Sequence, residues 1–200
     1  MILGITGPTG SGKTTLLSLI AEQGGMILDC DRIYHELLSQ DALLLQRIED
    51  RFPGTVENGQ LQRKKLGERV FSDPQALEAL NAVTHSAVRQ RVQQLLAQEK
   101  PALAAIDAIA LFESGLAQLC QVTVAVIAPE DVRVKRLMSR DQVSEEYARK
   151  RIGAQHDHSW FAEKCACVLE NAGTKAQFQE KCLAFLRGLG IMDLSKPEKE

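Results

Sequence analysis

Apolar residues in this chain follow two rhythms. Short apolar runs, Met1-Ile2-Leu3-Gly4-Ile5, Met26-Ile27-Leu28, Ala102-Leu103-Ala104-Ala105-Ile106 and Val122-Thr123-Val124-Ala125-Val126-Ile127, suit strands buried on both faces of a parallel sheet. Between them the apolar positions recur at helical spacing: Leu16, Leu17 and Ile20 within residues 13–23, then Leu77, Leu80, Val83, Val88, Val92 and Leu95. A last short strand over residues 165–169 and a helix over 175–189 complete the pattern. Strands alternating with helices predict an α/β, three-layer architecture around a parallel sheet. The tail after Gly190, ending Lys196-Pro197-Glu198-Lys199-Glu200, is expected to be disordered.

The alternation breaks between residues 41 and 99. That stretch has loops at Pro53-Gly54 and Asn58-Gly59 and a helix start at Ser72-Asp73-Pro74, but no strand pattern, so it reads as a helical insertion. The basic run Arg63-Lys64-Lys65 with Arg69 reads as a solvated helix face. His156 and His158 read as loop residues rather than metal ligands.

Length and charge limit what the chain can be. At 200 residues it suits one α/β domain, residues 1–200, with the insertion at 41–99. A formal net charge of −2 gives no global attraction to nucleic acid or to an anionic membrane surface. No apolar stretch approaches the ~18 residues needed to cross a bilayer. The five cysteines, Cys30, Cys120, Cys165, Cys167 and Cys182, form no paired C-x-x-C spacing and read as reduced thiols. The chain enters its first strand with no basic leader, so a cytoplasmic protein is expected.

Chemistry enters at Gly7-Pro8-Thr9-Gly10-Ser11-Gly12-Lys13-Thr14, where every specified position of the phosphate-loop pattern is filled. Glycines let the backbone turn its N–H groups toward an anion, and the helix opening at Lys13 offers its positive end. Lys13 suits the β- and γ-phosphates of a nucleotide, and the Thr14 hydroxyl suits a Mg²⁺ ion bridging them. Asp29 and Asp31 follow a strand, at the sheet edge where ligands bind, although either acid could instead cap the next helix. Asp107 ends another strand and could hold the Mg²⁺ or its waters. No second acid follows it, so the Asp-Glu pair of many hydrolytic ATPases is missing. Arg136 and Arg140 share a helical face suited to phosphate, within a predicted lid at 136–158, but could also pair with Asp141, Glu145 and Glu146. Asn171 lies beside the expected nucleotide edge.

Taken in order, these motifs resemble the dephospho-coenzyme A kinase family, small phosphate-loop kinases related in fold to the nucleoside monophosphate kinases. The resemblance rests on Thr6 with the phosphate loop, Asp29-Cys30-Asp31, Leu80-Asn81 with Thr84-His85, and Asp107 with Leu111-Phe112-Glu113. It continues through Arg136 to Arg140-Asp141, Arg151-Ile152 with Gln155, and Asn171 with Gly173. It implies transfer of the ATP γ-phosphoryl group to the ribose 3′-hydroxyl of dephospho-coenzyme A, the last step of coenzyme A synthesis. By position, Asp31 would be the general base, and Lys13 and Arg140 would stabilise the transferring phosphoryl group. Gly10, Ser11, Gly12, Lys13, Thr14, Thr15 and Asn171 would hold ATP, with Asn171 near the adenine. Thr6, Asp31, His85 and Glu113 would meet the acceptor, and Thr14 and Asp107 the Mg²⁺. ATP and dephospho-coenzyme A are then the partners, with no nucleic acid or membrane, and the protein is expected to act as a monomer or weak homo-oligomer.

The chain departs from the family pattern at three places. Ile109 and Ser86 stand where the family usually has proline, and Cys165-Ala166 where an Ala-Asp pair is common. A kinase of another small hydroxyl acceptor, such as a nucleoside or a sugar acid, therefore stays open as an alternative. A GTPase-type switch is disfavoured, since neither Asn-Lys-x-Asp nor Asp-x-x-Gly occurs.

Overall fold

The computed structural model describes residues 1–191; the expected disordered tail, apart from Ile191, lies outside the described residues. β1 (Ile2–Thr6), α1 (Lys13–Glu22), β2 (Met26–Asp29) and α2 (Cys30–Gln40) open the chain. They are followed by α3 (Ala42–Arg51), β3 (Val56–Glu57), β4 (Gln60–Leu61), α4 (Arg63–Val70) and the long α5 (Pro74–Glu99). Next come β5 (Ala104–Asp107), a short 3₁₀ turn (Leu116–Leu119), β6 (Val122–Ile127), α6 (Glu130–Asp141) and α7 (Glu145–Gly153). The described part ends with α8 (His158–Lys164), β7 (Cys167–Glu170) and α9 (Lys175–Gly188).

The apolar runs form the expected parallel sheet, in the order β2-β5-β1-β6-β7. Ile5 lies opposite Asp107 on one side of β1 and Val124 on the other, and Ile127 lies opposite Glu170. Two compact units divide the described residues: residues 1–27, 102–109 and 120–191, and residues 28–101 with 110–119.

In the first unit, Leu3, Ile5, Val124 and Val126 of the strands meet Leu16, Leu19 and Ile20 of α1 and Phe178, Cys182 and Leu186 of α9. Removing such side chains from water is the main force holding a sheet to its helices. The helical stripe is thus the one expected, with Leu19 added and Leu17 at its edge.

In the second unit, Leu38 of α2, Leu44 and Ile48 of α3, Leu66 and Val70 of α4, and Leu80 and Ala87 of α5 form a separate core with Phe52. This stretch, read from sequence as lacking strands, contains a small antiparallel hairpin pairing Val56 with Leu61 and Glu57 with Gln60. Its two-residue strands are too short to display alternation. The Asn58-Gly59 turn was the available signal, because both residues take positive φ (51° and 73°), as a tight hairpin turn requires. The Glu49 carboxylate accepts from the N–H groups of Gly54, Thr55 and Val56, which holds its pKa below the ordinary carboxylate range.

α8 is a second departure. His156 lies in a loop, as expected, but His158 begins this helix, whose cap Asp157 accepts from the Trp160 N–H at 2.9 Å. His156 stacks on Trp160 with ring centroids 3.8 Å apart.

α5 runs unbroken for 26 residues, through the position where the related family usually has proline. Ser86 keeps the N–H that proline would remove. The helix starts as expected, with the Asp73 side chain accepting from Gln75 N–H at 2.9 Å and Pro74 in the first turn. Asp73→Ala should therefore cost about 1 kcal/mol, read as a lower urea midpoint at unchanged slope.

Candidate active site

The phosphate loop begins where β1 ends. Gly7 follows Thr6 with φ 137°, and a Cβ there would run into the Val126 carbonyl on the neighbouring strand. Gly12 takes φ 99° at the N-cap of α1, where a Cβ would collide with the Asn171 side-chain amide. These two close approaches explain why only glycine serves at either position. The Lys13 ammonium folds back over the loop and donates to the Gly7 carbonyl at 3.1 Å. Thr14 and Thr15 form the first turn of α1, which holds no acid to compete with a bound anion. The Ser11 side chain is 1% exposed, and its hydroxyl has no hydrogen-bond partner among the described residues. Leaving a buried hydroxyl unpaired costs roughly 1–3 kcal/mol, which an acceptor oxygen such as that of a phosphate would relieve.

Side chains from elsewhere in the first unit grip the loop by its carbonyl oxygens. Arg133 donates through Nε to Thr9 O at 2.9 Å. Arg136 donates through Nη1 to Gly10 O and Ser11 O, both at 3.1 Å, and through Nη2 to Asn171 Oδ1 at 3.1 Å. Asn171, 5% exposed, donates its own amide to Ser11 O at 2.8 Å. Gln155 completes the clamp: its Oε1 accepts from the Thr9 N–H at 3.0 Å and from Arg133 Nη2 at 2.9 Å. Burial lowers the pKa of both arginines from the usual guanidinium value. With the carbonyls of residues 9–11 drawn toward α6 and β7, the loop keeps the cradle shape that presents N–H groups to an anion.

The sequence reading paired Arg136 with Arg140 and assigned no role to Arg133. In the structure Arg136 and Arg133, three residues apart on α6, share the loop. Arg140, whose side chain is 61% exposed, is engaged by Asp141 through Nε at 2.6 Å and Nη2 at 3.0 Å. Arg151 reaches the same carboxylate at 2.7 Å. Hydrogen bonds from Arg140, followed by Arg151, hold the Asp141 carboxyl at about 2. Arg149 joins Glu130, Asp131 and Glu145, fastening α7 to α6 over Val134, Leu137, Ala148 and Ile152. The alternative pairing to Asp141 and Glu145 therefore describes several arginines of α6 and α7.

The remaining candidates divide between the units. In the first, Thr6 is fully buried and donates its hydroxyl to Ile109 O at 3.2 Å, while Asp107 ends β5 directly opposite Ile5. In the second, the two acids after β2 separate in role. Asp29 caps α2, accepting from Arg32 N–H at 2.9 Å, whereas Asp31 stands exposed in the first turn. His85 of α5 is tied to the Glu113 carbonyl, and burial pushes its imidazole below the ordinary value despite the nearby Glu113 charge. Asn171, Lys13 and the loop are thus joined by direct contacts. Asp31, His85 and Glu113 belong to the second unit.

Because Gly12 has neither room for a Cβ nor a φ that alanine favours, Gly12→Ala should weaken nucleotide binding at least ~10-fold with the fold retained. Calorimetric titration with ATP, alongside far-ultraviolet circular dichroism, would check this; unchanged affinity would contradict the cradle.

The geometry is matched by likeness to known proteins. A family model described as dephospho-CoA kinase matches residues 1–177. A dephospho-CoA kinase of Corynebacterium jeikeium is 35% identical over 191 residues, covering 94% of this chain and 98% of that one. Another, of Anaeromyxobacter dehalogenans, is 37% identical over 196 residues, covering 94% and 92%. Among solved structures, one from Thermus thermophilus superposes with a TM-score of 0.80 at 33% identity, covering 94% of this chain and 97% of that one. The dephospho-CoA kinase of Campylobacter jejuni does so at 0.67 and 27%, covering 96% and 98%. A shikimate kinase of Acinetobacter baumannii, at 0.52 and 18%, shares the phosphate-loop kinase fold. With its phosphate loop, its parallel sheet and a family match that runs through both units, this chain belongs to the dephospho-CoA kinase family.

Proposed function

We propose that this enzyme transfers the γ-phosphoryl group of ATP to the ribose 3′-hydroxyl of dephospho-CoA, and that the clamped phosphate loop is the observation that carries the reading. The family uses ATP as phosphoryl donor. The loop N–H groups, Lys13 and the Ser11 hydroxyl suit the phosphate chain of that donor, with Gly10, Gly12, Thr14 and Thr15 completing the cradle. Asn171, already bonded to Ser11 O, would border the adenine.

Asp31 would accept the proton of the 3′-hydroxyl as its oxygen attacks the γ-phosphorus. The bond to the bridging oxygen breaks and ADP departs. Lys13 would stabilise charge on the transferring group, with Arg140 of the lid, residues 136–158, adding a second positive charge. Thr14 and Asp107 offer a hydroxyl and a carboxylate oxygen, hard donors that fit Mg²⁺. When bound, that ion neutralises phosphate charge. Thr6, His85 and Glu113 would help receive the acceptor, with residues 41–99 as its helical platform.

No helix among the described residues is long and apolar enough to cross a membrane. We take the enzyme to work in the cytoplasm as a monomer or weak homo-oligomer, with small molecules as its partners.

An ADP-release assay with purified protein tests the assignment. Dephospho-CoA should accelerate ADP release, while adenosine, gluconate and shikimate should do so far less; no acceleration by dephospho-CoA overturns it. Asp31→Asn should keep ATP binding yet lower kcat by at least ~10²-fold, and near-normal turnover would remove Asp31 from the role of base.

A further inference from the structure

The groups that hold Arg133 and Arg136 are the carbonyls of Thr9, Gly10 and Ser11 and the side-chain amides of Gln155 and Asn171. All of them are neutral. Among the described residues no carboxylate forms an ion pair with either guanidinium. Glu130 acts on Arg133 electrostatically, but its carboxylate is bonded to Arg149 at 2.8 Å. Arg133 is 7% exposed, and a guanidinium stays charged even when buried. A buried charge without a counter-charge costs stability, so an anion nearby would offset what the protein leaves unpaired.

Gln155 decides that neutrality. Its Oε1 accepts from the Thr9 N–H at 3.0 Å and from Arg133 Nη2 at 2.9 Å, while Arg133 Nε donates to Thr9 O at 2.9 Å. Gln155, Arg133 and the two sides of Thr9 thus close a ring. Both partners of the amide are donors, so only its oxygen fits there. A glutamate of the same reach could accept both bonds and would hold Arg133 more strongly, but it would cancel the positive charge beneath the loop. The loop is thin at this point: a Cβ on Gly10 would stand 3.3 Å from the Arg133 Cβ. Gln155 and Arg133 also border a cavity of about 410 Å³ in which water can reach them.

We propose that Gln155 is a positioning residue for the phosphates of the nucleotide: its neutral amide fixes Arg133 under the loop with the guanidinium charge uncompensated, and that charge acts across the loop backbone on the phosphate chain. This rests on ATP as the occupant of the loop. The phosphates then supply the counter-charge that the protein omits, in surroundings where water screens it little.

Gln155→Glu separates this role from a purely mechanical clamp, because the carboxylate keeps both acceptors and changes only the charge. Calorimetric titration should show the Kd for ATP raised at least ~10-fold and that for ADP raised less, since ADP carries one negative charge fewer. Thermal unfolding of the same variant should have its midpoint at or above the wild-type value, because Arg133 gains an ion pair. Gln155→Ala, whose lost bonds water from the cavity can replace, should weaken ATP binding less than Gln155→Glu does. A clamp acting by shape alone gives the reverse order. Wild-type ATP affinity in Gln155→Glu, or weaker binding in Gln155→Ala than in Gln155→Glu, overturns the proposal and leaves ATP as the donor. Should Gln155→Glu not fold, Arg133→Gln removes the charge instead and should weaken ATP more than ADP, an equal loss for both overturning the proposal. Wild-type protein that does not bind ATP overturns both the proposal and the ATP assignment.

Discussion

The backbone of residues 7–12 must hold a conformation that most side chains cannot follow, and much of the first unit serves that requirement. Gly7 lies against the Val126 carbonyl and Gly12 against the Asn171 amide, both at positive φ. A loop of this shape turns its carbonyls one way and its N–H groups the other. The exposed dipoles on the carbonyl side need donors, and Arg133, Arg136 and Asn171 supply them at 2.8 to 3.1 Å. The anion side is thereby shaped before any nucleotide arrives, so little reorganisation remains to oppose binding.

This arrangement assigns the arginines of α6 and α7 to different work. Arg133 and Arg136 are built into the loop's foundation. Arg149 staples α7 to the first turn of α6 through Glu130 and Asp131 and pairs with Glu145 of its own helix, and Asp141 gathers Arg140 and Arg151. Exposed ion pairs contribute little singly, but a network orders the long side chains it contains. The same chemistry that would stabilise a phosphoryl group in flight also keeps the α6–α7 hairpin together, and a helical wheel cannot separate the two uses.

The second unit shows a parallel division among its acids. Asp29 and Asp31 are two residues apart, yet the first accepts from Arg32 N–H as the cap of α2 while the second stands exposed in the first turn. Capping at Asp29, Asp41 and Asp73 fixes where α2, α3 and α5 begin, and the Leu44, Ile48, Leu80 cluster fixes how they pack. Asp31 is thus carried on a helix whose start and inner face are both determined by other residues.

Much of this was legible in the sequence because it is local. Strand runs, the phosphate-loop pattern and the helix start at Asp73-Pro74 depend on residues within a few positions of one another. The short hairpin at Asn58-Gly59 and the helix opening at His158 were missed because two-residue strands and a seven-residue helix carry too little periodicity to register. Sequence alone thus determined that a phosphate loop sits between β1 and α1, and that acids end the strands around it. Tertiary structure alone decided that Arg133, Arg136, Gln155 and Asn171 hold that loop. Those contacts join residues 22 to 160 positions apart, and their geometry depends on which strands lie side by side, β1 next to β6 and β6 next to β7.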